Sequence, residues 1–377
     1  MSELINTQSR RNIRWHLLTT VSALSLTVVA SGNAYASDKP TVWIELGGQL
    51  ERIDGREDPL APGFTQISPT PTPYLPTSPQ EAQKSAIYSY GAEGKISFRP
   101  DGSAWEFSAA IRYGRSNNKK HLHQQTKLYS QYLNTKYPRV PGQPKFKTKT
   151  AAKFSDIRAQ NSESHAVIDF KAGRDVGLGI FSSTASLGVR LADFTSASHA
   201  NVIARPEVAF KDYVFIGKYF PAAYHTDYIA EGENERSFHG VGPSLSWEGN
   251  IPVFGDRDSA ITFDWGVNAA ALFGRQKAEG THQTSAHYYF DANSLAGGNT
   301  HIPPGYPIPP HPHDRSRSVV VPNIGGLAGI SFRYSAAKVS FGYRADLFLG
   351  AMDMGIDTRH TVNRNFYGPF ATIAVGL

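Results

Sequence analysis

The sequence predicts an all-β fold: a transmembrane antiparallel up-and-down β-barrel of about ten strands, with eight or twelve as the neighbouring counts. Three observations predict it. Apolar and polar residues alternate along many segments, the connections between these segments alternate between long and short, and the sequence finishes on an amphipathic strand, FATIAVGL. Period-two alternation indicates a strand with two different faces. Long extracellular loops and short periplasmic turns are typical of outer-membrane barrels.

Ten segments carry the alternation. In segment 86–98, Ala, Tyr, Gly, Ile and Phe occupy the even positions, whereas Glu93, Lys95 and Ser97 occupy odd ones. The turn sequence RPDG and another alternating segment follow, so the two segments form a hairpin. The ten predicted strands are 41–52, 86–98, 104–114, 164–173, 183–192, 237–248, 260–274, 319–334, 338–350 and 366–377.

Alternation alone also fits a secreted β-sandwich, and the connections favour the barrel. The long links are 53–85, 115–163, 193–236, 275–318 and 351–365, and the short ones are 99–103, 174–182, 249–259 and 335–337. Aromatic residues near the short turns fit an interfacial girdle: Phe98, Trp105, Trp247, Phe263, Trp265, Phe332 and Tyr334. A further strand pair within 202–220 would raise the count to twelve.

The N-terminal region predicts export. Arg10, Arg11 and Arg14 precede an apolar run at 17–30, and Ala-Tyr-Ala at 34–36 supplies a cleavage site. A membrane-anchoring helix is the alternative, but it needs about 20 apolar residues. We therefore expect a cleaved secretory signal peptide at 1–36 and a single barrel domain at 37–377. With no cysteine in the chain, no disulfide stabilises the exported domain.

The final strand makes sense if the barrel closes on it. In a bilayer every backbone donor and acceptor must be satisfied within the protein, so a spanning sheet has to close on itself. We expect 366–377 to pair with 41–52.

At this strand the chain resembles bacterial outer-membrane barrels, which commonly finish on a closing strand with alternating apolar residues. Ala371, Ile373 and Val375 match that pattern, and Leu377 stands where the class usually has an aromatic residue. Within the class, FHGVGPSLSW (238–247) and FGYRADLFLGAMD (341–353) are similar to the pore-forming major outer membrane protein family of Legionella. The resemblance implies a Gram-negative outer membrane with its lipid and lipopolysaccharide, insertion by the barrel assembly machinery, and a pore.

Parity also assigns charged side chains to the lumen. The predicted lumen-lining residues are Glu45, Glu93, Lys95, Glu106, Arg112, Asp169, Lys171, Arg190, Asp264, Arg333, Arg344 and Asp346. Glu51 has the same inward parity, and with it seven acids face six bases, which indicates a polar, mutually paired interior. In a barrel of ten strands such side chains nearly fill the lumen. A narrow pore and a closed polar core that supports displayed loops both remain open at this point.

Residues 115–158 form a predicted basic loop with eleven Lys or Arg and a single acid, Asp156. We expect its lysines to attract anions such as lipopolysaccharide phosphates, acidic surface polymers or anionic solutes. A solvated, mobile loop is the alternative, and nucleic acid is not expected to reach an exported barrel. The candidate anion-attracting residues are Lys119, Lys120, Lys145, Lys147, Lys149 and Lys153.

No stretch carries a catalytic or metal-binding motif. The Pro/His-rich segment 301–315 contains His311 and His313, but no nearby carboxylate or cysteine cluster completes a metal site. His165, His239 and Asp193 would lie near the outer rim, as an outer-membrane hydrolase would require, yet no linear motif links them. We expect no catalytic residues, no metal and no cofactor.

The predicted function is therefore passive diffusion of small solutes through a pore with modest anion preference. The alternative is a barrel that displays extracellular loops for surface interaction or adhesion.

Overall fold

A computed structural model describes residues 42–54, 87–101, 103–133, 146–176, 182–215, 218–255, 259–292, 300–301, 311–355 and 358–377. Within them the regular elements are all β-strands, and the residues from Val42 to Gly376 form one compact unit. None of the described residues belongs to a helix that is long and apolar enough to cross a membrane. The predicted signal peptide lies outside the described residues.

Eleven strands follow one another along the described part of the chain. They are β1 (Val42–Asp54), β2 (Ile87–Phe98), β3 (Trp105–Leu133), β4 (Phe146–Asp175), β5 (Ser182–Phe215), β6 (Lys218–Gly255), β7 (Ser259–Ala292), β8 (Thr300–His301), β9 (His311–Tyr334), β10 (Ala337–Asp353) and β11 (Thr361–Gly376).

Ten of these strands close into an antiparallel barrel. The ring runs β1-β2-β3-β4-β5-β6-β7-β9-β10-β11 and returns to β1, so each strand pairs with the next ring strand along the chain. The two-residue β8 pairs with β7 at Tyr289 and Phe290, above the point where β9 begins its pairing. The predicted ten-stranded up-and-down barrel is confirmed.

The ladder between β1 and β11 closes the ring. Trp43 lies opposite Gly376, Leu46 opposite Ile373, and the register continues to Asp54. β11 also pairs with β10 along its other edge, so both of its edges are hydrogen-bonded. The predicted pairing of the first and last strands is confirmed for the described residues.

The predicted long loops are wrong in part, because described residues of 115–163, 193–236 and 275–318 are strand. The described residues of 115–158 belong to β3 and β4, and those of 193–236 belong to β5 and β6. Segment 202–220 continues this hairpin and adds no extra pair, so the count stays at ten. The five strands β3 to β7 contain 29 to 38 residues each. About 9–11 residues are enough for a membrane crossing.

The outer face of the barrel carries an apolar band. Leu187, Leu245, Ile330 and Ile373 are each at least 60% exposed on it. Soluble monomers rarely expose contiguous apolar patches larger than a few hundred Å². Most of the aromatic residues predicted near the short turns are also exposed on this face: Phe98, Trp105, Trp247, Phe263, Phe332 and Tyr334. The exterior is therefore suited to an apolar medium.

Removing residues 373–377 is expected to abolish barrel assembly, because it deletes the partners of Trp43, Ile44 and Leu46 in the closing ladder. Cell fractionation and heat-modifiable mobility on SDS gels measure the outcome. Deleting Leu377 alone is the matched control, since that residue lies outside the ladder. A heat-modifiable barrel after the five-residue deletion would show that closure does not depend on this pairing.

Candidate functional site

The lumen is the candidate site, and the structure places the predicted charged residues along it. Eleven of the twelve predicted lumen residues occupy inward-facing positions and are buried or partly buried. Arg333 is different, because it lies at the short-turn end of β9 and is exposed. Opposite charges meet within the lumen, so the residues form bonded layers rather than a lining of separate groups.

Arg190 on β5 is the centre of one ionic layer. Its guanidinium donates two hydrogen bonds to Asp169 on β4, Nε to Oδ1 at 2.7 Å and Nη2 to Oδ2 at 2.9 Å. From the same group, Nη1 donates to Asn268 Oδ1 on β7 at 2.7 Å and to Asn323 on β9. Because β6 separates β5 from β7, this side chain ties together strands that share no ladder.

Asp346 on β10 extends this layer across the lumen. Arg112 on β3 donates from Nη1 to Asp346 Oδ2 over 2.5 Å, although β2, β1 and β11 lie between the two strands in the ring. The second carboxylate oxygen is 3.9 Å from Arg190 Nη1. A parallel crossing joins Arg344 on β10 to Glu93 on β2. Removing one partner of such a buried pair leaves an uncompensated charge, which costs several kcal/mol.

Glycine at position 325 makes room for this layer. A Cβ there would lie 2.1 Å from Asp346 Oδ1 and 2.8 Å from Asn268 Nδ2. Gly325 is the direct cross-strand neighbour of Asp346 in the β9–β10 ladder. The carboxylate therefore occupies space that any larger residue would take.

A second ionic layer lies nearer the short turns. Glu248 on β6 accepts from Lys171 on β4 at 3.1 Å and from Lys95 on β2 at 3.4 Å. Lys95 reaches Glu248 from the opposite side of the ring, and Glu45 faces Lys95 directly in the β1–β2 register. Two further pairs complete this end of the lumen: Lys338 with Asp264 at 2.6 Å and Arg99 with Glu106 at 3.0 Å.

Four phenylalanines fill the lumen on the side of the Arg190 layer that faces away from the short turns. Phe194, Phe238, Phe348 and Phe366 come from β5, β6, β10 and β11, and none is more than 5% exposed. Their ring centroids lie 4.7 Å apart between Phe194 and Phe348, and 5.3 Å apart between Phe194 and Phe366. Other buried side chains of the same cluster include Leu272, Val321, Met352 and Met354.

A buried carboxylate–imidazole pair lies beside these rings. His165 Nε2 is 2.9 Å from Glu51 Oε2, and the imidazole centroid is 4.1 Å from that of Phe366. Gly114 permits this arrangement, since a Cβ there would lie 2.2 Å from His165 Cε1. Both side chains are at most 4% exposed.

The candidate catalytic residues are not brought together. His165 points inward, whereas Asp193 and His239 pair with each other on the outer face at 3.2 Å with about half of each side chain exposed. Strand parity separates them, because Asp193 lies opposite Ala166 rather than His165 in the β4–β5 register.

The end of β10 and the residues that follow it, Gly350 to Gly355, lie over the phenylalanine layer. A bulge follows Phe348, Gly350 adopts φ of 66°, and Met354 is fully buried. Three donors from β6, β7 and β9 hold its carbonyls: Arg236 Nη2 to Met354 at 3.2 Å, Gln276 Nε2 to Gly350 at 2.6 Å, and Arg315 Nη2 to Gly355 at 2.7 Å. This segment adds another layer across the lumen.

Little space remains between these layers. Two cavities between described residues each offer about 10 Å³, roughly the room for one water molecule. One is lined by residues such as Glu51, Arg112 and His165, and the other lies near Arg236 and Arg315. The described side chains thus close the lumen at several levels.

Strand parity divides the predicted basic loop. Lys119 lies on the outer face of β3, whereas Lys120 on β3 and both Lys149 and Lys153 on β4 have the parity of the buried inner-face residue Ile157. Lys145 and the side chain of Lys147 lie outside the described residues.

Asp156, the acid of the predicted basic loop 115–158, is bound by two imidazoles. Its Oδ1 is 3.0 Å from His121 Nε2, and its Oδ2 is 3.3 Å from His123 Nδ1. Partial burial acts to raise the pKa of Asp156, but the hydrogen bonds from His121 and His123 outweigh it and hold the pKa below its ordinary value. The carboxylate therefore stays ionised and occupied.

The Pro/His-rich segment is only partly described. His311 and His313 lie in β9, and the rings of His313 and His282 stack with centroids 5.3 Å apart. Residues 302–310 lie outside the described residues. Within the described part of the chain, no group of three or more His, Cys, Asp or Glu residues is arranged to hold a metal ion.

Comparisons with known proteins show no family for this chain. No family model and no curated protein matches the sequence. The resemblance to the Legionella family therefore stays a prediction.

Solved structures match at low scores. The transport unit of the autotransporter AIDA-I from Escherichia coli is 10% identical, covers 94% of this chain and 97% of its own, and has a TM-score of 0.25. A deletion mutant of the monoaromatic hydrocarbon channel TodX is 7% identical, covers 90% of this chain and 91% of its own, and has a TM-score of 0.20. Pseudomonas putida OprB is 9% identical, covers 90% of this chain and 94% of its own, and has a TM-score of 0.17. The barrel assignment rests on the strand order of this chain.

Replacing Asp346 by Asn is expected to destabilise the folded barrel by about 3–5 kcal/mol, because it removes a buried carboxylate and leaves the partly buried Arg112 without its partner. Urea titration of the purified protein in lipid vesicles, followed by tryptophan fluorescence, measures the change. Lys338→Gln is the matched control, since it breaks a partly exposed pair near the rim and should cost about 1 kcal/mol or less. Equal losses in the two variants would contradict a central role for the ionic layer.

Proposed function

We propose that this chain is an outer-membrane pore-forming barrel for small solutes, and that the layers across its lumen must part before it conducts. The observation that carries the proposal is the chain of contacts from Arg112 through Asp346 to Arg190, which crosses the lumen with side chains from its own wall. Export by a cleaved signal peptide and insertion by the barrel assembly machinery belong to the same proposal, which gives the chain no enzymatic role.

The outer apolar band supports a membrane location. On β3 it runs from Trp105 to Tyr113, nine residues, which matches the 9–11 residues that a tilted spanning strand needs. Aromatic residues mark its short-turn edge, as expected at a membrane interface. A closed ring without a free edge at this height satisfies the backbone within the bilayer.

The chemistry of the lumen favours a pore over a simple packed core. Buried ion pairs lose solvation, and well-packed apolar residues of similar volume are often equally or more stable. A barrel that only needed a filled interior would gain nothing from Arg112, Arg190 and Asp346. Above them, the phenylalanine layer has the character of an apolar constriction that closes a pore by excluding water. The Arg190 layer and the phenylalanine layer both consist of side chains, which can change rotamer without unfolding the wall.

Anion preference is the finer part of the proposal. Lys120, Lys149 and Lys153 have inward parity above the membrane band, where they raise the local concentration of anions at the mouth. The layers below are nearly balanced in charge and discriminate weakly between ions. The expected preference is therefore modest and sensitive to salt.

A scaffold for display is the second candidate, favoured by the height of the wall. β3 continues for 20 residues beyond Tyr113, about 65 Å along the strand at about 3.3 Å per residue. A barrel locked by cross-lumen pairs would hold such hairpins firmly above the membrane. Absence of channels from well-folded protein would favour this function.

Removing the central crossing is expected to increase conductance. The double variant Arg112→Ala/Asp346→Ala deletes both partners, so no isolated charge remains from this pair. In planar bilayers we expect small, brief channels from the unaltered protein and longer, larger ones from the variant. Arg52→Ala/Asp54→Ala, which deletes an exposed ion pair of β1, is the matched control and should behave like the unaltered protein. A folded double variant with unchanged channels would refute the gating role.

Neutralising Lys149 and Lys153 to Gln is expected to lower the anion preference at 0.1 M salt and to matter little at 1 M. The Debye length falls from about 10 Å to about 3 Å between these concentrations. Reversal potentials under a salt gradient provide the measurement. Lys119→Gln/Lys127→Gln removes two charges from the outer face of the same hairpin and should leave selectivity unchanged. If the outer pair had the larger effect, the inner-face assignment would be wrong.

A further inference from the structure

The outer face of the β3–β4 hairpin carries an excess of positive charge. Lys119, Lys127 and Arg158 lie on it together with Arg115, and Asp156 is the acid among the described residues of this face. The Arg158 side chain is 72% exposed. These groups project away from the lumen, so the pore proposed above does not use them.

The position of these cations relative to the apolar band is the second observation. Arg115 is the next outward residue after Tyr113, and Lys119 lies four residues farther along β3. At about 3.3 Å per residue and a tilt of about 45°, these positions stand roughly 5 Å and 14 Å above the band. Long basic side chains bend back towards an interface and span several ångströms. The set therefore faces the headgroup layer.

The outer face of β6 carries acids where that of β3 and β4 carries cations. Lys119 lies opposite Gln160 on β4, which lies opposite His199 on β5. The next cross-strand neighbour in this row is Glu233 on β6. Glu231 and Glu235 flank Glu233 on the same exposed face. An anion in the outer leaflet would be attracted to β3 and β4 and repelled from β6.

The acid within the basic face does not oppose an anion. Asp156 is hydrogen-bonded by His121 and His123, and Arg158 Nε lies 3.6 Å from its Oδ1. Its charge is thus directed into the hairpin's own side chains. Farther along β5 and β6, Arg205 and Asp227 also pair with each other through two hydrogen bonds that Arg205 donates.

We infer that the outer face of β3 and β4 binds the phosphate groups of an outer-leaflet glycolipid, with Arg115, Lys119 and Arg158 as the principal contacts. Multiple cations at graded heights match a headgroup that carries several phosphates rather than one. Binding on this face anchors the tall hairpin to the membrane surface on the side away from the lumen. The inference rests on the outer-membrane location proposed above.

The experiment measures binding of fluorescent bisphosphorylated lipid A to the folded protein in detergent micelles by anisotropy. Lys119→Gln/Arg158→Gln should weaken binding roughly 25-fold, at about fivefold for each cation near an anionic surface. Arg275→Gln/Lys277→Gln is the matched control. Both control residues are outward on β7. Lys277 and Arg115 belong to the same row of cross-strand neighbours around the ring. Heat-modifiable mobility verifies that each variant is folded.

The outcomes separate specific from general attraction. Support requires loss of binding with dephosphorylated lipid A, retention in the control and weaker binding to phosphatidylglycerol vesicles. Equal affinity for the phosphorylated and dephosphorylated lipids, equal losses in both variants, or equal binding to phosphatidylglycerol would each overturn the inference. Because binding is measured without a bilayer potential or ion flow, its failure is distinguishable from failure of the pore, which the planar-bilayer recordings decide.

Discussion

Satisfaction of backbone hydrogen bonds is the constraint on which the rest of this structure depends. A sheet in an apolar medium has no solvent to bond its edges, so the β1–β11 ladder has to close the ring. Closure also fixes which residues face inward, because strand parity then has the same meaning all round the barrel. The apolar exterior and the charged interior are both consequences of this one pairing.

Ten strands enclose a narrow space, and this explains why the interior is bonded across rather than lined. Side chains as long as Arg112 and Lys95 reach strands that are four places away in the ring. Once a charge is placed inside, its desolvation has to be offset by a partner, and the partner is close enough to supply it. Gly325 and Gly114 keep the crossing points open for Asp346 and His165.

The sequence predicts the strands within the membrane band well, since the contrast between their two faces is strong there. It predicts the outer extensions poorly. In SNNKK of β3 both faces are polar, so the alternation that marks a strand disappears although the ladder continues. The possible extra strand pair in 202–220 is wrong for the opposite reason. Apolar residues there occur on both parities and suggest strands that the fold does not add.

The lumen was predictable as a set of residues but not as a set of pairs. Parity identifies Arg190 and Asp169 as inward, and adjacent strands bring them together. The partners across the ring depend on the stagger of all ten strands, which no local pattern encodes. Asn268 and Asn323 were missed because they carry no charge, although their inward parity was available as a signal. Glu248 was missed at the end of a weakly alternating segment, where Leu245 and Trp247 mark the outer face.

The consecutive residues Lys119 and Lys120 show why a count of charges cannot assign their function. As members of a loop, both would contribute to one positive field at the mouth. As neighbours in β3, they project to opposite faces of the wall, Lys120 towards the lumen and Lys119 towards the membrane surface. The same basic run therefore presents charge to two media. In the proposed pore the solute senses only its inward half, and in the proposed glycolipid site the lipid senses only its outward half.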